Sequence, residues 1–186
     1  MTFADPVLMI DRMPDALPDV LRLGIQLVFI GTAAGQRSHE QGAYYAKSGN
    51  CFWSTLYYIG LTDRQLQPKE FETLAHLGIG LTDICKKTSG VDTRLGTKDF
   101  DVDGLVERLR AIQPSIIAFN GKKAASIYFD CDTRDIDYGR QASERDGANL
   151  NSIVFVLPST SGSAKKYWDQ KHWRVVADEF RALWST

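Results

Sequence analysis

Gly31 to Asn50 carries most of the chemistry this sequence offers. Gly31-Thr32-Ala33-Ala34-Gly35 is a run of small residues whose backbone can turn tightly and leave its N–H groups uncovered. Behind it come Gln36, Ser38 and His39, then the adjacent Tyr44 and Tyr45, then Asn50 ahead of an apolar segment. Further along, Asn120-Gly121-Lys122 and the run Ser159-Thr160-Ser161-Gly162-Ser163-Ala164-Lys165 are polar turns of the same kind. Together they supply backbone amides, hydroxyls, carboxamides and aromatic faces. Such a set suits a planar polar ligand, stacked on a ring and read along its edge.

Other chemistries lack their residues. Gly31 to Gly35 is not the G-x-G-x-x-G of a dinucleotide site, and Gly121-Lys122-Lys123 has neither the upstream glycine nor the hydroxyl of a P-loop. No G-x-S-x-G nucleophile elbow is present, since Ser161-Gly162 has the wrong predecessors. The three histidines are scattered without a partner at ligand spacing, so no metal and no cofactor are expected. Cys51, Cys85 and Cys131 are odd in number, lack C-x-x-C spacing, and read as buried thiols in a reducing compartment.

The elements that must position these groups follow from the apolar runs. Leu27–Ile30, Ser115–Phe119 and Ser152–Leu157 are short and rich in β-branched or aromatic residues, as buried strands are. Each leads into one of the polar turns and then a helical pattern. Gly78–Cys85 is a further short apolar segment with one embedded carboxylate, Asp83. Phe52, Thr55, Leu56 and Ile59 recur at helical spacing up to Gly60. Pro68 opens a helix that Gly78 ends, and Val102, Leu105, Val106, Leu109 and Ile112 form one stripe of another. A last helix runs from about Tyr167 or later with Trp173, Val176, Phe180 and Leu183 on one side. Residues 1–24 read as a loose or briefly helical lead-in packed on the domain, 86–99 as a polar loop, and 130–148 as a surface excursion. The pattern predicts one α/β domain over residues 1–186, a three-layer α/β/α sandwich with a central, mostly parallel sheet of about four strands. Right-handed crossovers bring the polar turns to one sheet edge.

A length of 186 residues suits a single domain with a sizeable core. A net charge of −1 gives no global footprint of a nucleic-acid binder. No apolar stretch is long enough to span a bilayer, and the first residues lack a signal-peptide pattern. The expectation is a monomeric cytoplasmic protein with no membrane partner.

At this level of detail the chain resembles the mismatch-specific uracil-DNA glycosylase and thymine-DNA glycosylase branch of the uracil-DNA glycosylase superfamily. The resemblance rests on the strand with its G-x-x-x-G turn, on Gly42-Ala43-Tyr44-Tyr45, and on Gly49-Asn50-Cys51-Phe52-Trp53. It continues through Gly60-Leu61-Thr62-Asp63, Gly78-Ile79-Gly80-Leu81-Thr82-Asp83, Phe119-Asn120-Gly121-Lys122, and Leu157-Pro158 followed by Ser161-Gly162. It implies an enzyme that flips uracil, or a related damaged base, out of DNA and hydrolyses the N-glycosidic bond without a metal, leaving an abasic site. Tyr45 would stack on the base, and the amides of Gly31, Thr32, Ala33, Ala34 and Gly35 would stabilise charge on it. Asn50 would read the base edge or cap the following helix, with Asn120 beside it. Ser159 to Lys165 would enter the minor groove, and Lys122 would join it at the phosphates.

The departures from the family are specific. Its first motif reads G-I-N-P-G, and the asparagine that positions the attacking water is Ala33 here. Its N-P-S-G becomes Ser159-Thr160-Ser161-Gly162, and the intercalating leucine becomes Ser163. Losing a positioned group commonly costs about two to four decades in rate. His39, Ser38, Gln36 and Asp83 are the candidates to hold or activate water instead. Asp83 could also bind a ring N–H. The alternative is a protein that binds uracil or abasic DNA and does not cleave it.

Overall fold

In a computed structural model, residues 15–87, 96–143 and 145–183 are described. The apolar runs pair as strands β1 (Leu27–Ala33), β2 (Ile79–Cys85), β3 (Ile116–Asn120), β4 (Gly139–Arg140) and β5 (Ile153–Leu157). They form one sheet in the order β2-β1-β3-β5-β4. β1 pairs in parallel with β2 and β3, and β3 pairs in parallel with β5. Only β4 runs antiparallel, against β5. Strands covered on both faces need apolar residues at every position, which is why these runs show no alternation with polar residues.

Successive side chains point to opposite faces, so β1 feeds two cores at once. Leu27 and Phe29 enter the core under α2 (Phe52–Tyr58) and α5 (Gln170–Ala182), where Phe29 stacks on Trp173 at 5.3 Å between ring centroids. Val28 and Ile30 enter the core under α3 (Val102–Ile112) and α4 (Lys122–Phe129). The result is the expected three-layer α/β/α arrangement. α1 (Gln36–Gln41) is a short helix at the carboxyl edge.

Several elements differ from expectation. The sheet has five strands where about four were expected. Gly78–Cys85 contributes a full strand buried along its length, Asp83 included. The surface excursion at 130–148 buries Ile136 and Ala148 and supplies β4. The polar segment 36–41 closes into α1, and Pro68–Leu77 winds as a 3-10 helix. A separate 3-10 segment over Gly162–Tyr167 precedes the last helix, which starts at Gln170 within its expected range. Of the three cysteines expected to be buried only Cys85 is, Cys51 being half-buried and Cys131 exposed on the polar excursion. Residues 1–14 of the lead-in and 88–95 of the 86–99 loop lie outside the described residues. The rest of the lead-in is packed: Leu17 and Val20 are buried, and Val20 bridges Leu81 of β2.

A partly buried ion cluster fixes that packing. Asp19 Oδ1 accepts hydrogen bonds from Lys86 Nζ and Thr82 Oγ1, both at 2.7 Å, and its Oδ2 lies 3.1 Å from Arg108 Nε. Lys86 Nζ also donates to the Leu17 carbonyl at 2.6 Å. Only 6% of Lys86 is exposed, so removing its counter-ion strands a cation in a poorly solvated place. Asp19→Ala is expected to cost about 3 kcal/mol of stability, read as a lowered midpoint in urea unfolding.

Candidate functional site

β1 and β2 outrun β3 at the carboxyl edge. The β1–β3 pairing ends at Ile30↔Phe119, whereas β1 and β2 stay paired through Gly31↔Asp83 to Ala33↔Cys85. The Gly31–Gly35 run, expected as a turn, is therefore strand as far as Ala33. A β-carbon at Gly31 would fall on a carboxylate oxygen of Asp83 and would sit 3.5 Å from the Tyr45 hydroxyl. Glycine is needed at 31 because those two side chains converge over its backbone. Asp83 is 3% exposed, a carboxylate sealed at the strand edge where the polar loops gather.

Tyr45 reaches this place through a constrained loop. Gly42 ends α1 in the left-handed conformation, and Tyr45 itself has φ 54°. Ser38 holds the loop: its carbonyl accepts from Ala43 N at 3.0 Å, and its Oγ accepts from Ala46 N at 3.1 Å. Trp53 Nε1 donates to the Tyr44 carbonyl at 3.0 Å. The Tyr45 ring stacks on Phe52 with centroids 4.0 Å apart and planes 26° apart. The Tyr45 residue as a whole stays half-buried, while its hydroxyl and that of Tyr44 are sealed without a hydrogen-bond partner among the described residues.

Burial, followed by the nearby Asp83 carboxylate, pushes both phenols well above the usual tyrosine range. The Asn120 amide works the other way on Tyr45, as Arg108 does on Tyr44. Both phenols therefore stay neutral in the folded chain.

The other two turns close on this one. Asn120 Nδ2 donates to Thr160 Oγ1 at 2.9 Å, and Thr160 N donates back to Asn120 Oδ1 at 3.0 Å. Cys51 N donates to the Thr160 carbonyl at 3.0 Å, and a β-carbon at Gly162 would lie 3.1 Å from the Gly49 carbonyl. Gly121, at φ 115°, backs onto Ser159. Ser161 Oγ and Ser163 Oγ lie 2.9 Å apart, and Ser163, Lys165 and Lys166 are exposed on the far side of this loop. Asn50 Oδ1 accepts from Phe52 N at 2.9 Å, an Asx-type turn one residue ahead of Cys51, the N-cap of α2.

The expected water candidates separate. Gln36 Nε2 donates to Glu40 at 3.0 Å on an exposed helix face. His39 is exposed, with Nδ1 2.9 Å from the Ala16 carbonyl. Ser38 is buried within the loop it organises. Asp83 alone of the four lies over Gly31 beside Tyr45. Sequence reasoning missed Thr160 as the anchor of the second motif, and the sealed Tyr44 hydroxyl. It also missed Arg108, whose Nη2 donates to the Asp83 carbonyl at 3.1 Å. No periodicity or motif marks a contact across 25 or more residues. Among the described residues, no group of three His, Cys, Asp or Glu side chains is gathered as a metal would need. None of the described helices is long and apolar enough to cross a membrane.

The raised phenols have a consequence for stability. The unfolded chain ionises Tyr44 and Tyr45 near about pH 10, while the folded chain keeps both protons. Stability is thus fully present below that pH and falls as pH rises above it. Urea midpoints measured from pH 8 to 11 are expected to hold and then drop, and Tyr44→Phe with Tyr45→Phe is expected to flatten the drop.

Comparison with known proteins places this geometry in a lineage. A solved solution structure of a Methanosarcina acetivorans protein, provisionally named a uracil DNA glycosylase, is similar at a TM-score of 0.61. The two share 24% identity, and the match covers 91% of this chain and 98% of that one; the likeness is one of fold. The profile of the Uracil DNA glycosylase superfamily matches residues 18–181, from the start of the packed lead-in to the last turn of α5. The chain belongs to that superfamily.

Proposed function

We propose that the protein is a DNA glycosylase of the mismatch-specific and thymine-DNA glycosylase type. It would flip uracil, or a related damaged base, into the space bounded by Tyr45, Gly31 and Asn120, and hydrolyse the N-glycosidic bond to leave an abasic site. The observation that carries this reading is the convergence of Asp83 and Tyr45 over Gly31 in a member of this superfamily.

The chemistry then runs as follows. The base stacks against Tyr45, which is itself backed by Phe52. Backbone amides of the Gly31–Gly35 stretch face a pyrimidine oxygen and stabilise the negative charge that grows as the bond lengthens. The C1′–N1 bond breaks with its electron pair leaving on N1. A water oxygen bonds to C1′, and Asp83 takes the proton that this water loses. Asp83 thereby replaces the water-positioning side chain missing at Ala33. Tyr45 keeps its proton and serves as a neutral, hydrogen-bond-competent wall. Thr160 stays buried against Asn120 and not in the minor groove, the exposed Gly162 and Ser163 face the DNA, and Lys122 and Lys165 hold phosphates. No metal or cofactor takes part, and the protein acts as a monomer on DNA in the cytoplasm.

Single-turnover excision from a uracil-containing oligonucleotide tests this. Asp83→Asn is expected to slow excision by about two to four decades while leaving DNA affinity nearly unchanged. Tyr45→Ala is expected to weaken binding of uracil-containing DNA, whereas Tyr45→Phe keeps the stacking face and most of the affinity. The half-buried, apolar Ala33 favours a second reading, in which the pocket recognises uracil or an abasic site without cleaving. Uracil-dependent binding with no alkali-labile product from the unaltered protein would establish that reading and overturn the first.

A further inference from the structure

The segment β4 brings residues to the functional edge that no motif marks. Gly139 pairs with Val156 and Arg140 with Phe155, so Tyr138 lies level with Leu157, the last residue of β5. Pro158 to Lys165 leaves the sheet at that point, and Lys122 opens α4 beside it. Lys122 Nζ sits 4.8 Å above the Tyr138 ring, and Lys166 Nζ sits 4.6 Å from the Tyr167 ring centre. The His172 ring lies 5.8 Å from that of Tyr138. Tyr167 is 54% exposed, and it lies close enough to Tyr138 to help burial raise that phenol.

Tyr138 packs with one part of its ring against the core under α3 and α4, whereas Tyr167 and Lys166 stand exposed outside it. Ring and cation alternate along a strip that is exposed at Tyr167 and Lys166 and half-buried at Tyr138 and Lys122. Unpaired nucleic acid is held in this way, with bases stacking on aromatic faces while cations follow the backbone. Position agrees with composition. β4 lies three strand spacings from β1, about 14 Å at about 4.8 Å each. That span equals about four stacked nucleotides at about 3.4 Å per step, and fewer in an extended strand. The wedge position beside the strip is Ser163, too small and polar to hold open a duplex as an apolar wedge does.

We propose that Tyr138 and Tyr167, with Lys122 and Lys166, form a stacking platform for unpaired nucleotides flanking the flipped base, so that the protein takes its substrate from single-stranded DNA. The proposal rests on the glycosylase reading for its flipped base, but its test does not require excision.

Fluorescence anisotropy with a uracil-free single-stranded 12-mer and the matching duplex reads the platform directly. Tyr138→Ala and Tyr167→Ala are each expected to weaken single-strand binding about tenfold, the usual size of one lost stacking partner. Both should leave duplex binding almost untouched. Tyr138→Phe and Tyr167→Phe keep the ring and should bind like the unaltered protein. Lys122→Ala should lower the slope of log affinity against log salt by about 0.7. Tyr167, being exposed, can be altered without loss of fold, and thermal melting confirms this for each variant. Single-strand affinity unchanged in both alanine variants overturns the platform. So does a duplex loss as large as the single-strand loss, or a phenylalanine variant as weak as its alanine counterpart. An unaltered protein that shows the platform's binding pattern but never excises uracil overturns the glycosylase reading alone.

Discussion

The close approach of the Asp83 carboxylate to the backbone of Gly31 is the constraint on which the site depends. It requires that β1 and β2 run parallel in one register, that they extend past β3, and that residue 31 carry no side chain. The ion cluster below it serves the same end. Thr82 and Lys86 flank Asp83 in sequence and are both held by Asp19, while Arg108 from α3 ties the Asp83 carbonyl. A carboxylate kept out of water in this way has few ways to relax, which makes it a fixed element toward anything that enters the site.

The second constraint is the reciprocal pair between Asn120 and Thr160. A buried carboxamide that satisfies both a hydroxyl and a backbone amide defines one loop position and penalises others, because every alternative leaves polar groups unpaired. Thr160 then passes that definition to the third loop through Cys51. The asparagine at the end of β3 is thus a fastener between loops.

Much of this could be read from the residues alone. The apolar runs at 27–30, 115–119 and 152–157 announced parallel strands, because a strand covered on both faces needs no alternation. Gly-Asn-Cys-Phe-Trp announced the start of α2. The strand at 79–85 was legible only as an apolar segment, because Thr82 and Asp83 interrupt it and are tolerated solely through tertiary partners. β4 was hidden for another reason: two residues between charged turns carry no periodicity at all. Of the candidate site, the loops could be located by their small and polar residues after each apolar run, and Tyr45 only through the family resemblance. The ranking of Gln36, Ser38, His39 and Asp83 could not, since it depends on where distant segments carry each side chain, and only the pairing of β1 with β2 sets Asp83 over Gly31.

The lead-in has a role that its proline-rich sequence does not advertise. Residues 16 to 20 lie along the outer side of β2, with Val20 exchanging backbone hydrogen bonds with Leu81, and Ala16 N donating to the Lys86 carbonyl. At the opposite margin β4 is only two residues long. A parallel sheet this apolar would otherwise present a row of open amides and carbonyls, a template on which another chain could add a strand. The Asp19 cluster therefore does more than hold a segment in place. By clamping the lead-in over that margin, it guards the sheet against self-assembly.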